Sequence, residues 1–139
     1  MNTALVYLDA SALVRLVQKE RESVALWEWL SDRHECLSSA LAAVEVRRAV
    51  RRAGAGDAVL GIAEAVLGRL TLVRVDEEVL ALASRLPGRD LRTLDAIHVA
   101  TALSLGDLPG AFVTYDRRLA AAAARHGLSV VHPGAEPLE

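Results

Sequence analysis

The sequence is poor in several features that define functional classes. It has one cysteine, Cys36, which excludes an internal disulfide and favours a reducing compartment. Aromatic residues make up 4% of its 139 residues, and so few stacking rings argue against a sequence-specific single-strand binder. Its apolar runs end well before the roughly 20 residues of a membrane span, and residues 1–9 lack the positive region of a signal peptide. We therefore expect a cytoplasmic domain without a membrane partner.

An excess of positive charge is also missing. The sequence has 16 Lys+Arg residues and 18 Asp+Glu residues, for a formal net charge of −2. A polyanion would therefore have to bind a local patch or a metal. Hydrophobic residues make up 53% of the chain and charged residues 24%, which excludes intrinsic disorder. A chain of this length fits one domain, and we expect residues 1–139 to form it.

Short apolar runs alternate with helical patterns along the chain. The patterns predict strands over 4–8, 36–38, 71–75, 111–114 and 128–131, and helices over 11–18, 22–32, 40–52, 57–70, 77–86, 93–105 and 116–126. Asp57 and Thr93 are expected to cap their helices, and Val24, Trp27 and Leu30 lie at helical spacing. The alternation indicates βαβ units. The predicted fold class is α/β, with a mostly parallel central sheet of four or five strands and helices on both faces.

Four acids lie in apolar surroundings. Asp9 and Asp116 follow the first and fourth predicted strands, and the carboxyl ends of parallel strands line the ligand crevice of such sheets. Asp95 and Glu45 lie in the opening turns of two apolar helices. Each acid also has a purely structural explanation. Asp9 and Asp116 suit N-caps, and Asp95 suits the positive end of a helix dipole. Glu45 suits an ion pair with Arg48, three residues on, or with Arg52 of the same helix.

Taken together, the four acids favour a metal site. Buried carboxylates that converge repel one another, whereas hard oxygen ligands suit Mg²⁺ or Mn²⁺. We therefore predict Asp9, Glu45, Asp95 and Asp116 as metal ligands, and Thr114 as a hydroxyl that holds a carboxylate or a metal-bound water. An ion held there would activate water for attack on a phosphodiester. This chemistry needs neither a protein nucleophile nor a nucleotide cofactor.

Basic residues suggest where a substrate binds. A stripe just after Glu45 would hold phosphates that the acids repel, with a solvated helix face or a partner surface as equal alternatives; it consists of Arg47, Arg48, Arg51 and Arg52. Ser11, which lies outside a nucleophile-elbow pattern, is assigned with Arg47 and Arg48 to substrate binding. His98 follows Asp95 by three residues, so it could face the site, but we favour a role in helix packing.

Four segments carry a resemblance to a known family. They are residues 7–14 (YLDASALV), 39–46 (SALAAVEV), 94–102 (LDAIHVATA) and 113–119 (VTYDRRL). One such motif is weakly specific, whereas four in this order across almost the whole chain are specific. The sequence resembles the PIN-domain endoribonucleases, particularly the VapC-type toxins of bacterial toxin–antitoxin pairs.

The resemblance implies a Mg²⁺- or Mn²⁺-dependent endoribonuclease that acts as a toxin on RNA. In this family the motif positions of Asp9, Glu45, Asp95 and Asp116 form the acidic quartet, and that of Thr114 supplies the accompanying hydroxyl. Asp9 and Asp95 would be the principal metal ligands, and the other two acids would complete the site. The family also implies homodimers and a cognate antitoxin, whose segment crosses the groove and offers an Arg or Lys to the acids.

Three alternatives stay open at this point. One is a metal-free ribonuclease that uses histidines. Another is a phosphotransfer domain or phosphatase with Asp9 as an aspartyl nucleophile, although Asp9 has no acid two residues on and Lys19 is the one lysine. The third is a non-catalytic dimeric corepressor of a toxin–antitoxin complex, for which Trp27 and Trp29 offer an interface as readily as a core.

Overall fold

The computed structural model describes residues 5–32 and 35–135. Its strands are β1 (Leu5–Leu8), β2 (Glu35–Ser39), β3 (Thr71–Val73), β4 (Pro109–Val113) and β5 (Val130–Val131). Its helices are α1 (Ala10–Val17), α2 (Ser23–Leu30), α3 (Leu41–Arg52), α4 (Asp57–Gly68), α5 (Glu77–Arg85), α6 (Thr93–Ser104) and α7 (Arg117–Arg125). Every predicted element is present in its predicted order, and Ala4 of the first predicted strand lies outside the described residues. None of the helices in this part of the chain combines the length and apolar character needed to cross a bilayer.

The strands form one parallel sheet in the order β3-β2-β1-β4-β5. The chain passes from central β1 outward to β2 and β3, and then crosses to β4 and β5 on the other side. The order therefore reverses between β1 and β4, where Leu8 pairs with Val113. Open parallel sheets bind ligands at such a switch point, beyond the carboxyl ends of the strands. Asp9 and Thr114, which follow these two strands, lie at that point.

Successive side chains of β1 point to opposite faces of the sheet. Val6 and Leu8 pack in a core cluster with residues of α1, α2, α3 and α4. Tyr7 packs on the other side with Leu37, Phe112 and residues of α6 and α7. Helices therefore cover both faces, as predicted for a sheet whose strands are apolar throughout.

Two predicted helix caps are wrong. Helix α4 has Gly56 as its N-cap, and α6 has Arg92, so Asp57 and Thr93 are the first residues of their helices. Gly56 and Arg92 both have the extended backbone of an N-cap, without a side-chain cap hydrogen bond. An acid at the first helical position still interacts favourably with the helix dipole, which explains why Asp57 suits this position equally well.

The spacing of Val24, Trp27 and Leu30 did not identify the buried face of α2. Leu26 and Leu30 are buried together with Ser23, whereas Val24 is 60% exposed and Trp27 is 49% exposed. Helix α2 is apolar on most sides, so periodicity alone cannot select the face that packs inward.

Candidate active site

Asp9 is the most deeply buried acid of the site. It is 3% exposed and is the N-cap of α1. Its Oδ1 accepts hydrogen bonds from the Ala12 N–H at 2.9 Å and the Ser11 hydroxyl at 2.7 Å, and its Oδ2 accepts one from the Thr114 hydroxyl at 2.6 Å. Burial raises the pKa of Asp9, while the charge of His98 and the three donors act in the opposite direction. Its carboxylate is therefore fixed by α1 and by the end of β4 together.

Two hydroxyl groups connect the ends of β1 and β4. The Ser11 hydroxyl donates to Asp9 and accepts from the Tyr115 N–H at 2.8 Å. The Thr114 hydroxyl donates to Asp9 and accepts from the Asp116 N–H at 3.1 Å. Thr114 therefore holds a carboxylate, one of the two roles considered for it. The Ser11 hydroxyl is engaged within the protein, and its contact with substrate stays a prediction.

Asp116 and Asp95 face a common cleft. Asp116 is exposed and is the N-cap of α7, where its Oδ1 accepts from the N–H groups of Arg118 and Leu119 at 2.9 and 3.2 Å. Asp95 is partly buried in the first turn of α6. Burial raises the pKa of Asp95, the charge of Asp116 raises it further, and nearby cationic groups lower it. The two carboxylates therefore repel each other across the cleft.

Glu45 extends from α3 towards α6. Its Oε1 lies 2.6 Å from His98 Nε2, so it pairs with His98 and not with Arg48. His98 is 2% exposed, and its Nδ1 lies 2.7 Å from the Tyr7 hydroxyl oxygen. Burial lowers the pKa of His98, but the hydrogen bond and charge of Glu45, together with the charges of Asp9 and Asp95, raise it overall. His98 thus packs in the core, as favoured from the sequence, and also contacts a predicted site residue.

Acids and arginines line the cleft together. Its lining residues are Glu45, Arg92, Thr93, Leu94, Asp95, Asp116, Arg117 and Arg118. Asp9 is not among them and is connected to the cleft through Thr114, which accepts from the Asp116 N–H. The structure therefore brings three of the four predicted acids to one cleft and places the fourth directly behind it.

The cleft arginines differ from those selected in the sequence. Arg47 and Arg48 do not line the cleft, and Arg47 donates two hydrogen bonds of 2.8 Å to Glu64. Arg117 and Arg118 immediately follow Asp116 in the sequence, and this adjacency was the signal that could have revealed them. Arg92 does not adjoin a predicted site acid in the sequence. It reaches the cleft from the segment that leads into α6.

The donor chemistry of the cleft fits a hard divalent cation. Among residues 5–32 and 35–135, no three His, Cys, Asp or Glu side chains already form a ligand group. Asp95 accepts no hydrogen bond from the described residues, and Asp116 uses one of its two oxygens, Oδ1, as the helix cap. Mg²⁺ is usually bound by one or two carboxylates, with water as its other ligands. Two repelling carboxylates that retain oxygens for ligation meet that requirement.

Fold and site together define an α/β domain with a carboxylate-lined cleft at the switch point of a parallel sheet. The family model that describes the PIN domain matches residues 6–132. The chain therefore belongs to the PIN domain family, which confirms the resemblance found in the sequence.

Individual relatives agree with this assignment. The chain is 47% identical over 130 residues to Ribonuclease VapC46 of Mycobacterium tuberculosis (strain ATCC 25618 / H37Rv). This match covers 94% of this chain and 98% of that protein. The crystal structure of Mycobacterium tuberculosis VapC20, a sarcin-ricin loop cleaving toxin, matches with a TM-score of 0.72 and 17% identity, covering 92% of this chain and 99% of that one. VapBC2 from Rickettsia felis, bound to a DNA fragment from its promoter, matches with a TM-score of 0.66 and 13% identity over 93% of this chain and 98% of that one. The two structures confirm the fold.

Proposed function

We propose that this protein is a metal-dependent endoribonuclease, the toxin of a toxin–antitoxin pair, acting on RNA in the cytoplasm. The observation that carries the proposal is the placing of Asp95 and Asp116 in one cleft at the switch point of the sheet. The identity of 47% with a protein named as a ribonuclease supports the same reaction class.

Each residue has a separate task in this proposal. The sequence assigned Asp9 and Asp95 as the principal ligands. Because Asp116 lines the cleft and Asp9 does not, we propose instead that Asp95 and Asp116 would hold Mg²⁺ or Mn²⁺, with Glu45 and Asp9 completing the set directly or through water. Such an ion, when bound, lowers the pKa of water and offsets charge on a phosphodiester. Thr114 orients the Asp9 carboxylate through its 2.6 Å hydrogen bond. The substrate contacts predicted for Ser11, Arg47 and Arg48 stay part of the proposal.

A protein partner belongs to the proposal. The likeness to VapBC2 supports a cognate antitoxin, and the family resemblance supports a homodimer. An apolar groove between α2 and α4 is lined in part by Trp27, Leu30, Ile62 and Val66, of which Trp27 and Ile62 are 49% and 46% exposed. Contiguous apolar surface of this kind is typical of protein interfaces.

A non-catalytic corepressor is the second candidate function. It is favoured by the likeness to VapBC2, which was crystallised with promoter DNA. An acidic cleft that is inert would leave RNA intact under all metal conditions. RNA cleavage that is lost in Asp95→Asn would therefore favour the enzyme over the corepressor. The two functions are compatible, because an enzyme of this kind can also bind DNA with its partner.

Metal removal tests the proposed reaction. We expect purified protein to cut RNA in Mg²⁺ or Mn²⁺, to stop when EDTA is in excess, and to resume when Mn²⁺ exceeds the chelator. The reason is that carboxylates alone cannot offset the charge that develops on the phosphodiester. The measurement is the rate of cleavage of a labelled RNA on denaturing gels. Equal rates with and without EDTA would contradict the proposal and favour the metal-free mechanism that uses histidines.

A further inference from the structure

A groove rich in arginine continues from the acidic cleft along α7. Arg118, Ala121 and Arg125 line it at the i, i+3, i+7 spacing of one helix face. Arg89 and Arg92 line it from the segment between α5 and α6. The groove and the acidic cleft share three lining residues, which are Arg92, Arg117 and Arg118. A bound chain could therefore pass from one to the other without a gap.

The groove arginines form no ion pair with a described residue, although Arg92 and Arg118 lie near enough to Asp95 to lower its pKa. Elsewhere Arg15 and Arg47 pair with Glu22 and Glu64 at 2.8 Å. In contrast, no carboxylate of the described residues lies within 4.0 Å of a groove arginine. All five are exposed, and one groove residue, Asp90, is acidic. Such a concentration of guanidinium groups without a carboxylate of the described residues within 4.0 Å attracts phosphates, although the net charge of the chain is −2.

We propose that this arginine track, defined as Arg89, Arg92, Arg117, Arg118 and Arg125, binds the backbone of an RNA strand beside the bond that is cut in the acidic cleft. This rests on the proposed function. The lining residues of the track include no aromatic side chain, so base stacking cannot supply the affinity there. The contacts would then be made to phosphates, with little dependence on sequence and a strong dependence on salt.

Salt-dependent binding tests the track. Protein carrying Asp95→Asn, to prevent turnover, is titrated with a fluorescein-labelled RNA of about 12 nucleotides at several NaCl concentrations. Adding Arg89→Gln and Arg125→Gln is expected to weaken binding and to reduce the slope of log affinity against log salt by about 1.4, or about 0.7 per lost contact. The control adds Arg69→Gln and Arg74→Gln, which remove the same charge beside β3, at the opposite edge of the sheet from β5. Its slope is expected to be unchanged.

Three results would overturn the track. Equal slopes for the track and control variants would show that the groove does not bind RNA. A loss confined to Arg48→Gln with Arg52→Gln would place the substrate on the stripe selected from the sequence. Unchanged RNA binding with lost binding of a protein would assign the groove to an acidic partner. The assay measures binding without turnover, so a failure of the track is distinguished from a failure of catalysis.

A second inference comes from the buried contact of His98. Its Nε2 lies 2.6 Å from Glu45 Oε1, and its Nδ1 lies 2.7 Å from the Tyr7 hydroxyl oxygen. Because an ionised carboxylate only accepts, Nε2 carries the proton and donates to Glu45. A neutral ring then accepts from the Tyr7 hydroxyl at Nδ1, and a charged ring donates to the Tyr7 oxygen. The same N–H therefore faces Glu45 in both charge states.

The Tyr7 ring is itself held rigidly. It is fully buried and stacks on Phe112, with ring centroids 4.9 Å apart and an interplanar angle of 4°. It meets the His98 ring edge-on, with centroids 5.9 Å apart and an angle of 83°. We infer that His98, oriented by Tyr7, is a positioning residue that holds the Glu45 carboxylate at the edge of the acidic cleft. This inference also rests on the proposed function.

Two amide substitutions separate the contacts of His98. In His98→Gln the amide nitrogen can occupy the position of Nε2 and still donate to Glu45, whereas in His98→Asn the amide reaches only the position of Nδ1 beside Tyr7. We expect His98→Asn to lower both Mn²⁺ affinity and the cleavage rate by about 10- to 100-fold, the usual effect of losing an orienting partner. His98→Gln is expected to stay within a few-fold of wild type.

Titration calorimetry measures the Mn²⁺ affinity of each protein. Steady-state cleavage of RNA gives KM and kcat separately. The KM for RNA is expected to stay constant in both variants, since neither touches the track. Equal Mn²⁺ affinities for wild type, His98→Asn and His98→Gln would overturn the positioning role. So would equal losses in the two variants, because these would reflect core packing. Wild-type protein that binds no Mn²⁺ would contradict the proposed function itself, which is a separate result.

Discussion

Asp95→Asn is expected to reduce RNA cleavage by about 10³-fold or more, on the basis of the several kcal/mol that an ion supplies to charge stabilisation. Asp95 shares the acidic cleft with Asp116, and no hydrogen bond from the described residues restrains its carboxylate. An amide keeps the shape of the side chain but provides a neutral, weaker ligand. Cleavage of a labelled RNA at saturating Mg²⁺, with wild type alongside, measures the effect.

The same variant is expected to be at least as stable as wild type without metal. Burial raises the pKa of Asp95 and the charge of Asp116 raises it further, so neutralising Asp95 removes both a desolvation cost and a repulsion. Asp107→Asn, at an exposed position just after α6, is the matched control and is expected to retain full activity. Thermal unfolding of the metal-free proteins, monitored by circular dichroism, checks the fold. Full activity of Asp95→Asn, or its failure to fold, would contradict this account.

Asp9→Asn and Asp9→Ala are expected to differ sharply in stability. Alanine removes the N-cap of α1, worth about 1 kcal/mol, and leaves buried donors without their acceptor, at about 1–3 kcal/mol. We therefore expect Asp9→Ala to lower the free energy of unfolding by about 3 kcal/mol. Asparagine keeps an acceptor for Ala12 and Ser11. It also removes the ionised Asp9 carboxylate. Because burial raises the pKa of Asp9 in the folded protein, the ionised form costs stability at neutral pH.

Both Asp9 variants are expected to lose cleavage, because neither provides a carboxylate at the end of β1. Urea unfolding of the metal-free proteins gives the two free energies, and labelled RNA gives the rates. Asp9→Ala that is as stable as Asp9→Asn would show that the hydrogen bonds of 2.6–2.9 Å around Asp9 contribute little. An active Asp9→Asn would remove Asp9 from the reaction.

The position of the acids was predictable because it follows from topology. The prediction placed Asp9 and Asp116 at the carboxyl ends of parallel strands. The strand order, which the sequence did not predict, makes β1 and β4 neighbours and so brings Asp9 and Thr114 together. The apolar sequence around Asp95 likewise required a covered helix, and six residues of α6 are buried. Patterns of this kind extend over many residues, and single contacts do not alter them.

Pairwise contacts were less predictable. The spacing of Glu45 and Arg48 suited an ion pair within one helix, but His98 from α6 occupies the Glu45 carboxylate instead. Arg47 was assigned to substrate phosphates, and nothing in the sequence indicated that it also donates to Glu64 of the neighbouring helix; its contact with substrate stays a prediction. Both contacts are made by side chains of other helices, His98 of α6 and Glu64 of α4, and contacts between helices leave no signature in the spacing of residues along one helix.

The purely structural explanations of the acids also proved to be partly right. Asp9 and Asp116 are helix N-caps, as their local sequences suggested. Capping uses only some of the lone pairs of a carboxylate, and the Oδ2 atom of Asp116 remains available for a ligand. A cap and a binding role are therefore compatible at the same residue, since the N-terminus of α7 places the Asp116 carboxylate in the acidic cleft.

Direct Mn²⁺ binding is the most immediate test of the acidic cleft. Metal-free wild type and Asp95→Asn are titrated with MnCl₂ by calorimetry, and their melting temperatures are measured with and without Mn²⁺. We predict that wild type binds Mn²⁺ and is stabilised by it, by about 2.7 kcal/mol at 100 times the dissociation constant, and that Asp95→Asn loses both effects. Wild type that does not bind Mn²⁺, or binding that Asp95→Asn leaves intact, would show that the cleft is not the metal site of this protein.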